Sequence, residues 1–182
     1  AYAFPQTVRK LGQDIRVMMP LYDTIPQKYR DQMELLTNFT LDVAIQPLYC
    51  GLYRLVLRGV TYYFVENDVY FMRGKLYGCH DDGARFAFFS KAVCESIRFL
   101  DWMPDIVHCN DWQTALVLFY LRDKVLKNPA LRPIRTVFTI HNVEYQGDFS
   151  YQTLTDVFGL SGVLFSQGTL ELDGNVNLMK GA

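Results

Sequence analysis

A chain of 182 residues is long enough for one domain with a full core and falls short of two comfortable ones. Half of its residues are apolar and 20% are charged, the composition of a soluble globular protein, and a net charge of −1 offers no electrostatic attraction to nucleic acid or an anionic membrane. No apolar run approaches the roughly 18 residues of a membrane span, and nothing at the start reads as a signal peptide.

The opening "AYAFPQTVRKLGQ" reads as the later part of a helix running up to Gly12. "DIRVMMPLY" (Asp14–Tyr22) follows as a short buried strand ended by Pro20, and "IPQKYRDQMELL" as an amphipathic helix. "LYRLVL" and "VTYYFVEN" flank Arg58-Gly59 and predict a β-hairpin with a tight turn. From Asp82 to about Leu100, apolar Phe86, Phe89, Val93 and Ile97 recur at helical spacing. "DIVHCN" (Asp105–Asn110) is a predicted buried strand, and "DWQTALVLFYLRDKV" a helix capped by Asn110 or Asp111. "RTVFTIHN" is a further buried strand, after which come loops and short helices such as "YQTLTDVFGL". The closing "LMKGA" looks like a helix just beginning, so both ends cut through secondary structure and the chain reads as a piece of something longer.

From Asp82 onward, helix, strand, helix and strand alternate, and the short strands are apolar throughout. A parallel sheet covered on both faces has this signature, so one doubly wound, Rossmann-like α/β domain with an added β-hairpin is the expected fold. Four cysteines, Cys50, Cys79, Cys94 and Cys109, are widely spaced without a C-x-x-C pair. They are read as reduced, mostly buried thiols of a cytosolic protein, with no zinc site.

In open α/β sheets, ligands bind beyond the carboxyl ends of the strands. Two strands end in polar clusters, "IVHCNDWQ" and "FTIHNVEYQ", each with a histidine, an asparagine and then an aromatic residue. If the strands are parallel, His108, Asn110, Asp111, Trp112, His141, Asn142 and Tyr145 line one crevice. These residue types suit a carbohydrate, whose hydroxyls need paired donors and acceptors and whose C–H faces stack on Trp or Tyr. "YFMRGKLYGCHDDG" adds Tyr70, Tyr77, His80, Asp81 and Asp82. Simpler roles stand beside these. Asp111 serves equally as a helix cap, Trp112 and Tyr145 equally as core aromatics. His108 reads better as a satisfied core histidine, and His80 as a solvated loop residue. The spacing His141-x-x-Glu144 follows a strand rather than lying on a helix, so it is a weak metal signal.

The ordered set "LGQDIRVMMPLY", "LYG…DDGARFAFFSKAV", "PDIVHCNDWQTALV" and "TVFTIHNVEYQG" resembles the bacterial glycogen synthase and plant starch synthase family, and "LELDGNVNLMKGA" continues the likeness to the end. The resemblance implies a GT-B fold of two Rossmann-like domains, of which 1–182 would be part of the N-terminal, acceptor-side one. It would lack the first strand with its Lys-x-Gly-Gly diphosphate loop and the C-terminal donor domain. The implied activity is a retaining glucosyl transfer from ADP-glucose, or UDP-glucose, to the non-reducing end of an α-1,4-glucan such as glycogen or a maltodextrin. No metal or other cofactor is implied, and the setting is the bacterial cytoplasm or a plant plastid. His141 is implied at the reacting centre near the 6-hydroxyl of the transferred glucose, with Asn142 beside it. Asp111, Trp112, Gln113 and Tyr145 are expected to line the substrate side, and Tyr77 to belong to a glucan-binding loop. Ala84, Asn110 and Gln113 depart from residues common in the family. Two other readings remain at this stage, a stand-alone glucan-binding module without catalysis and a sucrose synthase-like GT-B transferase.

Overall fold

The computed structural model describes residues 3–131 and 133–182. The chain groups into two compact units, one of residues up to Thr40 with Leu48–Gly78, the other of Leu41–Pro47 with Cys79–Ala182.

In the first half of the chain, α1 (Ala3–Lys10) leads to β1 (Arg16–Pro20), a short α2 (Gln27–Arg30), then β2 (Glu34–Val43), β3 (Gln46–Leu57), β4 (Val60–Glu66) and α3 (Asp68–Phe71), the tip Leu41–Pro47 between β2 and β3 grouping with the second unit. The four strands form one sheet in the order β1-β4-β3-β2. β1 runs parallel to β4, from Arg16 opposite Thr61 to Pro20 opposite Val65, whereas β3 and β4 are antiparallel. The expected hairpin is present. Arg58 and Gly59 turn it with φ of 51° and 77°, the left-handed pair that a tight hairpin turn requires. Leu21, Leu55 and Phe64 form its core, with Met19, Ile25, Tyr29 and Met33 packed against them.

One predicted helix is corrected here. "IPQKYRDQMELL" contributes a single helical turn, and Glu34 already begins β2. The reason lies downstream, where Phe39, Leu41 and Val43 alternate with the exposed Asn38, Thr40 and Asp42. That period of two suits a strand with one face covered, and pairing with β3 outweighs a weak local helical preference. The meander β2-β3-β4 is thus larger than one hairpin.

The second unit carries the expected alternation. α4 (Asp82–Ser96) precedes β5 (Ile106–Asn110), then come α5 (Ala115–Lys127) and β6 (Arg135–Thr139). β5 and β6 are parallel, with Asn110 opposite Thr139. α4 is buried on most of its circumference, including Phe86, Phe88, Phe89, Ala92 and Cys94. Burial of the strands departs from expectation. Cys109 is the one buried residue of β5, and β6 has none, because among the described residues β6 has a single neighbouring strand. β1, likewise expected to be buried, is half-covered except at Pro20.

After β6, where loops and short helices are expected, come β7 (Asp148–Phe149), α6 (Tyr151–Asp156) within the predicted "YQTLTDVFGL", α7 (Val163–Ser166), β8 (Glu171–Leu172), β9 (Asn175–Asn177) and α8 (Leu178–Gly181) at the predicted closing helix. The three short strands make an antiparallel sheet in the order β7-β9-β8. Strands of two or three residues have no readable period, which is why the sequence conceals them. All four cysteines are free, with Cys50, Cys94 and Cys109 buried as expected. Among the described residues, no helix is long and apolar enough to cross a membrane.

Candidate functional site

The parallel register of β5 and β6 brings their carboxyl ends together, and the two polar clusters meet there. Asp111 N–H donates to the carbonyl of Thr139 at 2.9 Å, one residue beyond the last register pair. Its side chain then reaches across. Asp111 Oδ1 accepts from the backbone N–H of His141 at 2.7 Å and of Asn142 at 3.3 Å. Asp111 therefore latches the chain leaving β6. It makes no side-chain bond to the helix that follows, so the expected capping role is corrected. The reason is conformational. With φ 55° and ψ 174°, Asp111 sits in a region that residues other than glycine rarely occupy, and its side chain faces the neighbouring strand end.

Asn110, the other candidate cap, is held by Thr114, whose Oγ1 accepts from the Asn110 N–H at 2.7 Å and donates to its carbonyl at 2.8 Å. The Asn110 amide oxygen lies 2.9 Å from His141 Nε2. His141 is exposed, and both its backbone and its ring are tied to residues at the end of β5. Asn142 is exposed too, and its Oδ1 accepts from the Glu144 N–H at 2.9 Å, closing the turn after His141.

The remaining candidates separate. His108 Nε2 pairs with Thr139 Oγ1 at 2.7 Å across the two strands, a satisfied, half-buried histidine behind the site. Trp112 is a core residue. It is 9% exposed, meets Phe86 edge-on at 5.3 Å between ring centroids and packs on Phe149 at 5.8 Å. Gly147, with φ 72°, lies against this indole so closely that a Cβ there would come within 2.8 Å of it. Of the two roles open to Trp112, the packing one is visible here, beneath the His141 loop. Gln113 is half-buried in the 3-10 turn Trp112–Thr114. Tyr145 is 58% exposed on the His141 loop. Tyr77 is as exposed, at 58%, and belongs to the other unit. His80 is exposed, as expected of a solvated loop residue.

Sequence reading missed the far anchor of the loop. Buried Asn177 donates to Gln146 Oε1 and to Asp148 Oδ1, both at 2.8 Å, while its Oδ1 accepts from the Lys180 N–H. An asparagine just before a helix is a capping signal, and Asn177 caps α8 in this way. Cys79, Asp81 and Asp82 bring possible ligand atoms within 4.8 Å of one another, but the Asp82 carboxylate is already paired with the buried Arg85 at 2.6 Å. His141 and Glu144 enter no such group among the described residues.

Chemically, the site offers a fixed imidazole, amides and an anchored carboxylate at the carboxyl edge of a parallel strand pair. These are hydrogen-bonding groups suited to a polyhydroxylated ligand.

The chain is 43% identical over 181 residues to a glycogen synthase of Clostridium novyi and 43% identical over 182 residues to one of Anoxybacillus flavithermus. These matches cover 99% and 100% of the chain, which spans about 38% of the length of either relative. Among solved structures, the catalytic domain of starch synthase IV from Arabidopsis thaliana, bound to ADP and acarbose, superposes with a TM-score of 0.76 at 27% identity. That superposition covers 97% of this chain and 37% of the plant one, and the α/β architecture is accordingly that of the GT-B starch synthase catalytic domain. The sequence pattern of the starch synthase catalytic domain matches residues 1–182, and the chain belongs to that family.

Proposed function

We propose that this chain, as part of a longer protein, works in a retaining glucosyltransferase that moves glucose from ADP-glucose, or UDP-glucose, to the non-reducing end of an α-1,4-glucan. The family membership supports the reaction class, and the observation that carries the site is the double tether of His141. Its N–H is bound by Asp111 Oδ1 at 2.7 Å and its ring by Asn110 Oδ1 at 2.9 Å. A residue held this way at the ligand edge of a parallel sheet is pre-organised for one partner.

In the reaction, the bond from the sugar's anomeric carbon to the diphosphate oxygen breaks. A new bond forms to the acceptor hydroxyl on the same face, whose proton leaves with the departing diphosphate. Positive charge develops on the glucosyl ring, so the protein's task is to fix the ring and stabilise charge rather than to supply a nucleophile. His141 is proposed to hydrogen-bond the 6-hydroxyl of the transferred glucose. Asn142, Gln113 and Tyr145 contribute to the substrate side, and Tyr77 to glucan binding. Asp111 acts through His141. No metal takes part in this scheme, and the C-terminal donor domain of the parent completes the cleft.

The test is a donor assay on the full-length parent and on residues 1–182 alone. Glucan-dependent release of ADP or UDP by the parent, with none from the shorter chain, is the expected result. A parent that binds glycogen but transfers from neither donor would instead make this a glucan-binding module.

A further inference from the structure

The contact between Asn110 and His141 has a directional consequence. In a neutral imidazole, one nitrogen carries a proton and the other accepts, and the partner of one nitrogen sets the role of the other. Asn110 presents its carbonyl oxygen to His141 Nε2 at 2.9 Å. An amide oxygen only accepts, so Nε2 carries the proton and Nδ1 is left as an acceptor. Asn110 itself has little freedom. Thr114 Oγ1 brackets its peptide, accepting from its N–H at 2.7 Å and donating to its carbonyl at 2.8 Å. The register pair Asn110–Thr139 and the Asp111 latch on the His141 N–H fix the two backbones from which the side chains meet. The chain Thr114–Asn110–His141 thus runs from the start of α5 to the exposed ring.

We infer that Asn110 is a positioning residue that orients the His141 ring and keeps its proton on Nε2, so that His141 offers Nδ1 as a hydrogen-bond acceptor to a substrate hydroxyl. This deepens the proposed function and rests on it for the identity of the hydroxyl, while the ring's protonation pattern stands on the geometry alone. It also makes residue 110 a point where one side chain, outside direct substrate contact, controls what His141 can bind.

The test uses the full-length parent with 15N-histidine, reading the His141 tautomer by nitrogen shifts alongside transfer kinetics. Three replacements change the hydrogen-bonding sense at this exposed position, and the Asp and Lys variants change its charge as well. Asn110→Asp keeps an acceptor, Asn110→Ala offers nothing, and Asn110→Lys offers donors alone. The expected spectra are Nε2–H for the parent and Asn110→Asp, a mixture for Asn110→Ala, and Nδ1–H for Asn110→Lys. kcat should follow the same order, near parental for Asp, about two- to tenfold lower for Ala, the range of one net hydrogen bond, and lowest for Lys, with the KM for glucan little changed. Because Asp111 already adds a carboxylate to this cluster and two of the variants change its charge, each arm is read at a pH where its own ring is neutral. A parent showing Nδ1–H, or an unaltered tautomer and kcat in both Ala and Lys variants, would overturn the inference. If one variant fails to fold, the remaining two decide by the same spectra. A parent inactive with both donors, yet with the predicted tautomer series, would overturn the proposed reaction and leave the positioning role standing.

Discussion

Replacement of Asp111 separates the two things this residue does. Its carboxylate holds the N–H groups of His141 and Asn142, at 2.7 and 3.3 Å, while its backbone occupies φ 55°, ψ 174°. Hydrogen bonds to a charged group contribute about 1.5–3 kcal/mol, and the half-buried position places Asp111 toward the lower end. The backbone conformation costs on the order of 1–3 kcal/mol for any residue but glycine. Asp111→Ala loses the bonds and keeps the strain, so it should destabilise by about 2 kcal/mol. Asp111→Gly loses the same bonds and releases the strain, and should melt close to the parent. Asp111→Asn keeps a neutral acceptor and should lose about 1 kcal/mol. Local order should not follow this ranking. Hydrogen exchange of the amides around His141 should accelerate by about tenfold or more in both Ala and Gly variants, since 1.4 kcal/mol corresponds to tenfold. Both should also transfer glucose slowly. The assay is thus melting, segment-resolved hydrogen exchange and kcat on the same three proteins. An Asp111→Gly variant that melts as low as Asp111→Ala would refute the strain argument. Unchanged exchange around His141 in Asp111→Ala would refute the latch.

Trp112→Ala should cost about 3–5 kcal/mol in a denaturant titration, as loss of a buried aromatic does, with any change in glucan KM following from loosened packing against Phe86 and Phe149. Burial pushes the Cys50 and Cys109 thiols from the ordinary 9.0 up to about 12. Well below pH 9 both are protonated folded or unfolded, but from about pH 9 to 12 the unfolded chain ionises ahead of the folded one, so stability should fall across that window in pH-dependent melts. Over the same burial contrast, alkylation at pH 8 should label Cys79 first, read by mass spectrometry of the folded protein. Exhaustive chelation of the parent should leave its transfer rate unchanged, and reactivation only by an added divalent cation would contradict the metal-free scheme.

What could be read from the residues follows the strength of their periodicity. Phe86, Phe89 and Val93 mark α4 because its register survives over fifteen residues, and the apolar runs before Asn110 and Thr139 mark β5 and β6. β2 was hidden because its alternation begins only at Asn38, behind a segment of mixed helical preference. β7, β8 and β9 are too short to carry a period. At the site, the convergence of His141, Asn142 and Asp111 was legible from strand direction alone. The role of Asp111 was not, since a polar residue before a helix looks like a cap until its backbone is known to be left-handed. Trp112 illustrates the same limit. Its neighbours Phe86, Phe149 and Gly147 are distant in sequence, and only their convergence shows how the indole is packed.

The central claim is that His141 acts on the transferred sugar, and the most direct test is steady-state transfer by the full-length parent with His141→Ala, accompanied by a melt. kcat should fall by on the order of 100-fold, the loss typical of one pre-organised transition-state contact, with glucan KM and melting temperature near parental. A His141→Ala enzyme with near-normal kcat and an unchanged melt would contradict it.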